Sequence, residues 1–235
     1  MTALRLASTV FLSTVLCFAQ ARAQSAVEMT ADPTHRLVLQ NRYVRVFQVD
    51  VAPRSATLLH LHHHDYTFVT LGVAEVSNEV EGKNPVTLKL QDGETGFLAG
   101  NFAHLARNLS TSPLRSLIIE FLLDDSERNA PGRWDEDRAL HILHGGTEEI
   151  LFAKDGARAS KVELQTAGID PGRKSGPQLL LAVSDLVLRG DFSGTGASNL
   201  EMKSGDVKWF PHGLNQRATN VGTQTARYVV LEFQE

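Results

Sequence analysis

The feature that most constrains this chain is a repeat whose two copies are built of apolar runs too short for helices. Residues 41–51, Asn-Arg-Tyr-Val-Arg-Val-Phe-Gln-Val-Asp-Val, overlay residues 154–164 at an offset of 113, which sets Arg45 on Arg158. Residues 92–108 overlay residues 204–220 at an offset of 112. Two distant segments that share nearly one offset point to a duplicated unit. The unit is β. Runs rich in Val, Ile, Leu and Phe at 43–51, 57–61, 66–76, 86–90, 96–98 and 114–122 alternate with turn signals such as Ala52-Pro53 and Gln91-Asp92-Gly93, the spacing expected of a sandwich or barrel. Similar runs return at 141–143, 149–152, 157–164, 178–183, 186–188, 206–210 and 227–233. Between them the charged stretch 124–138, with Pro131-Gly132 inside it, reads as a solvated connection. The expected organisation is therefore all-β, with units at 24–123 and 140–235 joined by a linker at 124–139.

The first 23 residues are of another kind. Arg5 precedes an apolar stretch at 6–19, and Ala21-Arg22-Ala23 forms a small-x-small cleavage site. This is the pattern of a secretory signal peptide, and its apolar stretch is shorter than the ~20 residues that cross a bilayer. A periplasmic or secreted mature protein is expected, with no membrane attachment after cleavage. Cleavage removes Arg5 and Arg22 and no acid, so the formal charge of −4 becomes two units more negative. Nothing then supplies the basic surface that nucleic acid or anionic lipid requires. The sole cysteine, Cys17, leaves with the leader, so the mature chain has no disulfide, thiolate ligand or Cys nucleophile. A bound metal must use His, carboxylate or water.

His60-Leu61-His62-His63-His64-Asp65 is the densest group of ligand-capable side chains. Because strand side chains alternate, His60 and His62 share one face and Leu61 takes the other. His63 falls outside, and His64 returns inside only if the strand stays regular. Taken alone, this His-x-His fits an ordinary polar strand end as well as a chelating pair. A second pattern adds to it: Gly93, Ala99, Asn101, His104 and Asn108 follow Gly-x5-Pro-x-Gly-x2-His-x3-Asn, with Ala99 for the proline and Asn101 for the second glycine.

Together the two patterns, spread over residues 37–123, resemble the two motifs of the cupin superfamily. The resemblance implies double-stranded β-helix (jelly-roll) barrels, two in tandem as a bicupin. It also implies one divalent transition metal, Fe, Mn or Zn, on His60, His62 and His104, with Asp65 as fourth ligand or as an acceptor that orients an imidazole, and His64 or water as its rival for the fourth position. Two departures stand out: only two residues separate His62 from Asp65, one fewer than the pattern asks, and Arg54 replaces its opening glycine. In the second unit Gly205, Pro211, Gly213 and Asn220 keep the turn residues, whereas Gln216 replaces the histidine and Arg173 and Ser175 fall opposite His60 and His62. That unit is expected to hold no metal and to serve packing, a lid or homodimerisation. The parity that puts Asp65 inside predicts Thr67, Val69 and Leu71 as the wall of the barrel.

A three-histidine site with open coordination positions supports catalysis on a small organic acid, phenolic or sugar-like molecule, of dioxygenase, isomerase or lyase type. The alternative is a non-catalytic extracytoplasmic protein that binds a small molecule with a structural or ligand-capturing metal. The fold does not choose between them.

Overall fold

The computed structural model describes residues 25–123, 138–154, 156–173, 176–192, 196–214 and 217–234. The expected leader at 1–23, nearly all of the linker, Ser175 and Gln216 lie outside the described residues. Apart from one 3-10 turn at Met29–Ala31, the regular structure is β. The N-terminal half supplies β1 (Val27–Glu28), β2 (His35–Gln40), β3 (Val44–Val51), β4 (His60–His62), β5 (Tyr66–Leu71), β6 (Ala74–Val80), β7 (Val86–Leu90), β8 (Thr95–Leu98), β9 (Phe102–Asn108) and β10 (Leu114–Phe121). The C-terminal half supplies β11 (Ala139–Lys154), β12 (Ala157–Asp170), β13 (Gln178–Ala182), β14 (Leu186–Gly190), β15 (Ser198–Met202), β16 (Val207–Phe210), β17 (Ala218–Asn220) and β18 (Ala226–Phe233).

Strands β1 to β10 form two five-stranded sheets, ordered β1-β4-β9-β6-β7 and β2-β3-β10-β5-β8. The later strands form one nearly closed, barrel-like sheet, β15-β14-β17-β12-β18-β13-β16, with β11 paired to β12. The all-β expectation is met. The run expected at 66–76 is two strands, because Gly72 takes φ 92° and turns the chain, a left-handed conformation that costs glycine least. Strand β9, which carries His104, was not among the expected runs: Ala103, Ala106 and Asn108 dilute its alternation, and pairing with β4 and β6 makes it a strand.

The repeat extends to tertiary detail. The path β2-β3-β10-β5-β8 is followed again by β11-β12-β18-β13-β16. On it, Arg45 faces Glu120 and Arg158 faces Glu232 in register, each arginine Nε donating to a buried carboxylate at 2.7 Å. Asn108 and Asn220 are twin staples. Asn108 Nδ2 donates to the carbonyls of Val51 and Ser112, and Asn220 Nδ2 to those of Leu164 and Gln224. Each amide satisfies loop carbonyls that would otherwise lie buried without donors, at about 1–3 kcal/mol per unmade bond.

The period of two sorts β10 cleanly. Leu117, Ile119 and Phe121 join Val69, Leu71, Leu179, Leu181, Val229 and Leu231 in the largest core, which welds the two halves together. The alternate residues Leu114, Ser116, Ile118 and Glu120 face the space between the two N-terminal sheets, where the functional residues collect.

Candidate metal centre

Antiparallel pairing of β4 with β9 sets His60 directly across from His104 and His62 across from Phe102. His60 and His62 are each 1% exposed while Leu61 turns away, as alternation requires. One nitrogen from each of His60, His62 and His104 lies within 4.8 Å of the other two. The loop before β9 sits tightly on this strand: Asn101 N–H donates to the His62 carbonyl at 2.6 Å, and a Cβ on Gly100 would stand 2.4 Å from the His64 backbone. Asn101 takes φ 63° and Arg54 φ 59°, so the two positions where the sequence lacks a patterned glycine still adopt the glycine conformation. Asn tolerates it best among other residues.

Each imidazole is held at Nδ1 or has a buried acceptor close to it. His60 Nδ1 donates to the Leu58 carbonyl at 3.0 Å, leaving Nε2 buried without a hydrogen-bond partner among the described residues. His104 Nδ1 donates to Asn78 Oδ1 at 2.6 Å, which aims its Nε2 lone pair at His62 Nε2, 3.0 Å away. A proton on His62 Nε2 satisfies that pair, and a divalent cation can take the proton's place. His62 would then carry its proton on Nδ1. The nearest carboxylate oxygen to that atom is Glu120 Oε1 at 3.8 Å, and both atoms are buried without partners among the described residues. The ring itself is clamped, stacking on Tyr66 at 4.0 Å and on Phe102 at 5.5 Å between centroids.

All three histidines are neutral at ordinary pH. Burial pulls His60 down to about 4, with the neighbouring His35 adding to the effect. Burial pulls His62 to about 2 and His104 to about 3, each reinforced by the other imidazoles. Neutral imidazole is the form that ligates. The donor set therefore fits one divalent transition ion: three neutral imidazole nitrogens from two paired strands, with orienting partners behind them.

The structure places the other expected residues elsewhere. Asp65 Oδ1 accepts the Gly100 amide at 2.7 Å, which ties down the loop ahead of His104, and Asp65 is not part of the three-histidine group. His63 is exposed and pairs with Glu28 at 3.1 Å. The expected wall is out of phase by one residue: Tyr66, Phe68 and Thr70 line the interior, whereas Val69 and Leu71 pack into the core shared with the C-terminal half. The parity was counted from Asp65, but the strand begins at Tyr66, so Asp65 does not set its phase.

Sequence reasoning also missed three neighbours. Asp32 and His35 form a second buried group with His60. Asp32 Oδ2 accepts the Leu58 amide at 2.9 Å and stands 3.5 Å from His60 Nδ1, bracing the segment that holds His60. Burial pushes the Asp32 carboxyl up, and hydrogen bonds from His35 and Thr34 outweigh it and hold it well below the usual carboxylate range. Glu120 is the third, and its signal was available: an acid inside Leu-Ile-Ile-Glu-Phe that coincides with Glu232 at the repeat offset. Replacing it, Glu120→Gln, is expected to weaken metal binding by about 10–100-fold, the usual cost of losing an orienting partner. A metal titration that leaves the affinity unchanged would remove Glu120 from the site.

No family model matches the sequence, and a search of curated proteins finds no match. Solved structures do match. Bacillus subtilis oxalate decarboxylase, whose Mn(II) centres have been studied, aligns with a TM-score of 0.60 at 11% identity over 88% of this chain and 76% of that one. Lactobacillus farciminis oxalate decarboxylase aligns at 0.58 with 14% identity over 88% and 85%. AerE from Microcystis aeruginosa aligns at 0.58 with 11% identity over 87% and 99%. At such identity the likeness establishes the fold, and the fold to which this chain is similar is the cupin fold.

Proposed function

We propose that this chain is an exported bicupin metalloenzyme whose N-terminal barrel binds one divalent transition metal on His60, His62 and His104 and acts on a small molecule. The observation that supports the reading is the convergence of three neutral imidazoles, His60 and His62 buried and His104 partly buried, whose ligating nitrogens lie within 4.8 Å of one another across the paired β4 and β9. Manganese in a structurally similar decarboxylase supports a divalent ion of the Mn, Fe or Zn group. When bound, such an ion supplies Lewis acidity toward a substrate oxygen. The chain's own part is to fix three ligands, to keep water out with the Tyr66 and Phe102 rings, and to hold a proton on Tyr66. Burial raises that phenol above its ordinary range and the Glu120 charge raises it further, so it stays protonated and can donate.

The C-terminal unit is read as a barrel that has kept its fold without the metal. Arg173, in register with His60 by the repeat offset, donates to Glu148 at 2.7 Å and to Asp170 at 2.9 Å, and an arginine does not ligate metal. Export rests on the leader-like residues 1–23.

Elemental analysis of the purified protein tests the metal. About one transition metal per chain is expected, and no metal above background would end the reading. Turnover of a panel of small acids and phenols by each reconstituted form separates an enzyme from a protein that only binds its ligand.

A further inference from the structure

We propose that the N-terminal site takes a compact molecule with one oxygen head for the metal and a hydrocarbon body of about four carbons, carrying no second charge. The inference rests on the metal reading above and names what that site receives. Its basis is a cavity between the two N-terminal sheets, with His104 and Tyr66 in its lining. The remaining wall is largely apolar, including Phe68, Leu90, Leu98 and Ile118. Among the described residues that line it there is no Lys, Arg, Asp or Glu. Arg45, whose charge acts on His62, is bound to Glu120 and does not line it.

Size and polarity then narrow the ligand. The cavity holds about 100 Å³, against the roughly 150 Å³ of a dry cavity that admits benzene, so a sugar or a long chain is too large. A second carboxylate would lie against Phe68 and Ile118 unpaired, and a buried unpaired charge costs several kcal/mol. Thr70, Asn78 and Ser116 are the polar groups the body of the ligand meets, and Thr70, fully buried, has a hydroxyl without a hydrogen-bond partner among the described residues. Leu88, 37% exposed, stands at the solvent edge of the lining.

The test uses full-length mature protein loaded with Co(II) and two probes of equal chain length, pentanoate and glutarate. Occupancy is read from the ¹³C-methyl shifts of Leu90 and Ile118, and metal contact from the visible Co(II) band. Pentanoate is expected to move both signals and to bind at least about tenfold tighter than glutarate. Leu88→Lys, at the solvent edge, is expected to close that gap by offering glutarate a cation. Equal or tighter glutarate binding in the unmodified protein overturns the inference, as does a cobalt band that responds to pentanoate while both methyls stay still. A protein that takes up no Co(II) but shows the methyl shifts with 1-pentanol overturns the metal reading and leaves the hydrocarbon preference standing. Methyls that respond to neither pentanoate nor 1-pentanol overturn the preference, whatever the metal does.

Discussion

Excess Mn(II) should raise the thermal midpoint of the unmodified protein and raise that of His62→Ala by far less. The reason is linkage: an ion that binds only the folded state stabilises it by about 4 kcal/mol at a thousandfold excess over its dissociation constant. His62 occupies the middle of the set, 3.0 Å from His104 Nε2 and stacked between Tyr66 and Phe102. Its loss removes one of three nitrogens, so the affinity should fall by more than the roughly 100-fold that loss of a mere orienting partner can cost. The truncation also opens a gap between two aromatic rings, which lowers stability without metal. The informative quantity is therefore the metal-induced shift within each protein. A midpoint that rises equally in both would place the ion elsewhere.

Arg173→Met should destabilise the fold by about 3–5 kcal/mol at neutral pH, the cost of removing one partner from a buried ion pair. Arg173 is 7% exposed and its guanidinium holds Glu148 and Asp170 together, while Tyr228 Oη donates to Asp170 at 2.7 Å. Burial pushes both carboxyls up, and the Arg173 charge outweighs it and holds them below their ordinary values. In the unmodified protein their contribution is therefore complete above the unfolded carboxylate range near pH 4 and is lost as the pH falls through the lower folded values. Without the guanidinium, the main charge opposing burial is gone and only hydrogen bonds from His141 to Glu148 and from Tyr228 and Gly172 to Asp170 remain, so both groups titrate upward. The gap between variant and parent should then be widest at pH 7 and narrow towards pH 4.5, as the stranded carboxyls take up protons. Urea midpoints at the two pH values measure this. Should Arg173→Met not fold, Glu148→Gln retains Asp170 and should show a smaller loss in the same direction. Coincident midpoints at pH 7 would show that the network contributes nothing.

Much of this architecture was legible in the residues, for reasons that particular strands make plain. Runs such as Tyr43 to Val51, followed by Ala52-Pro53, and Leu114 to Phe121, preceded by Pro113, are short, β-branched and bounded by turn residues, which reads as strand. The duplication was visible because Arg45 and Arg158 sit at one offset, and the structure adds that each meets a buried glutamate in the same register. Alternation put His60 and His62 on one face, the cupin resemblance implied His104 as their partner, and the register of β4 with β9 brings the three together. The wall was misplaced because alternation gives a period but no phase: Asp65 belongs to the turn that ends at Tyr66, and one residue of offset exchanges cavity for core. Asp32, His35 and Glu120 went unnoticed because each stands alone in the sequence, far from the histidines it serves.

By itself the sequence determined what is local and periodic: strand content, the repeat, and the residue types able to ligate a metal. Only the tertiary structure decided which carboxylate stands behind which imidazole, that Asp65 Oδ1 accepts the Gly100 amide, and that the described residues of the cavity wall include no Lys, Arg, Asp or Glu. These depend on pairings between strands tens of residues apart, such as β4 with β9 and β3 with β10. A period of two says which side chains share a face, but which face meets which neighbour is settled by burial summed over the whole fold.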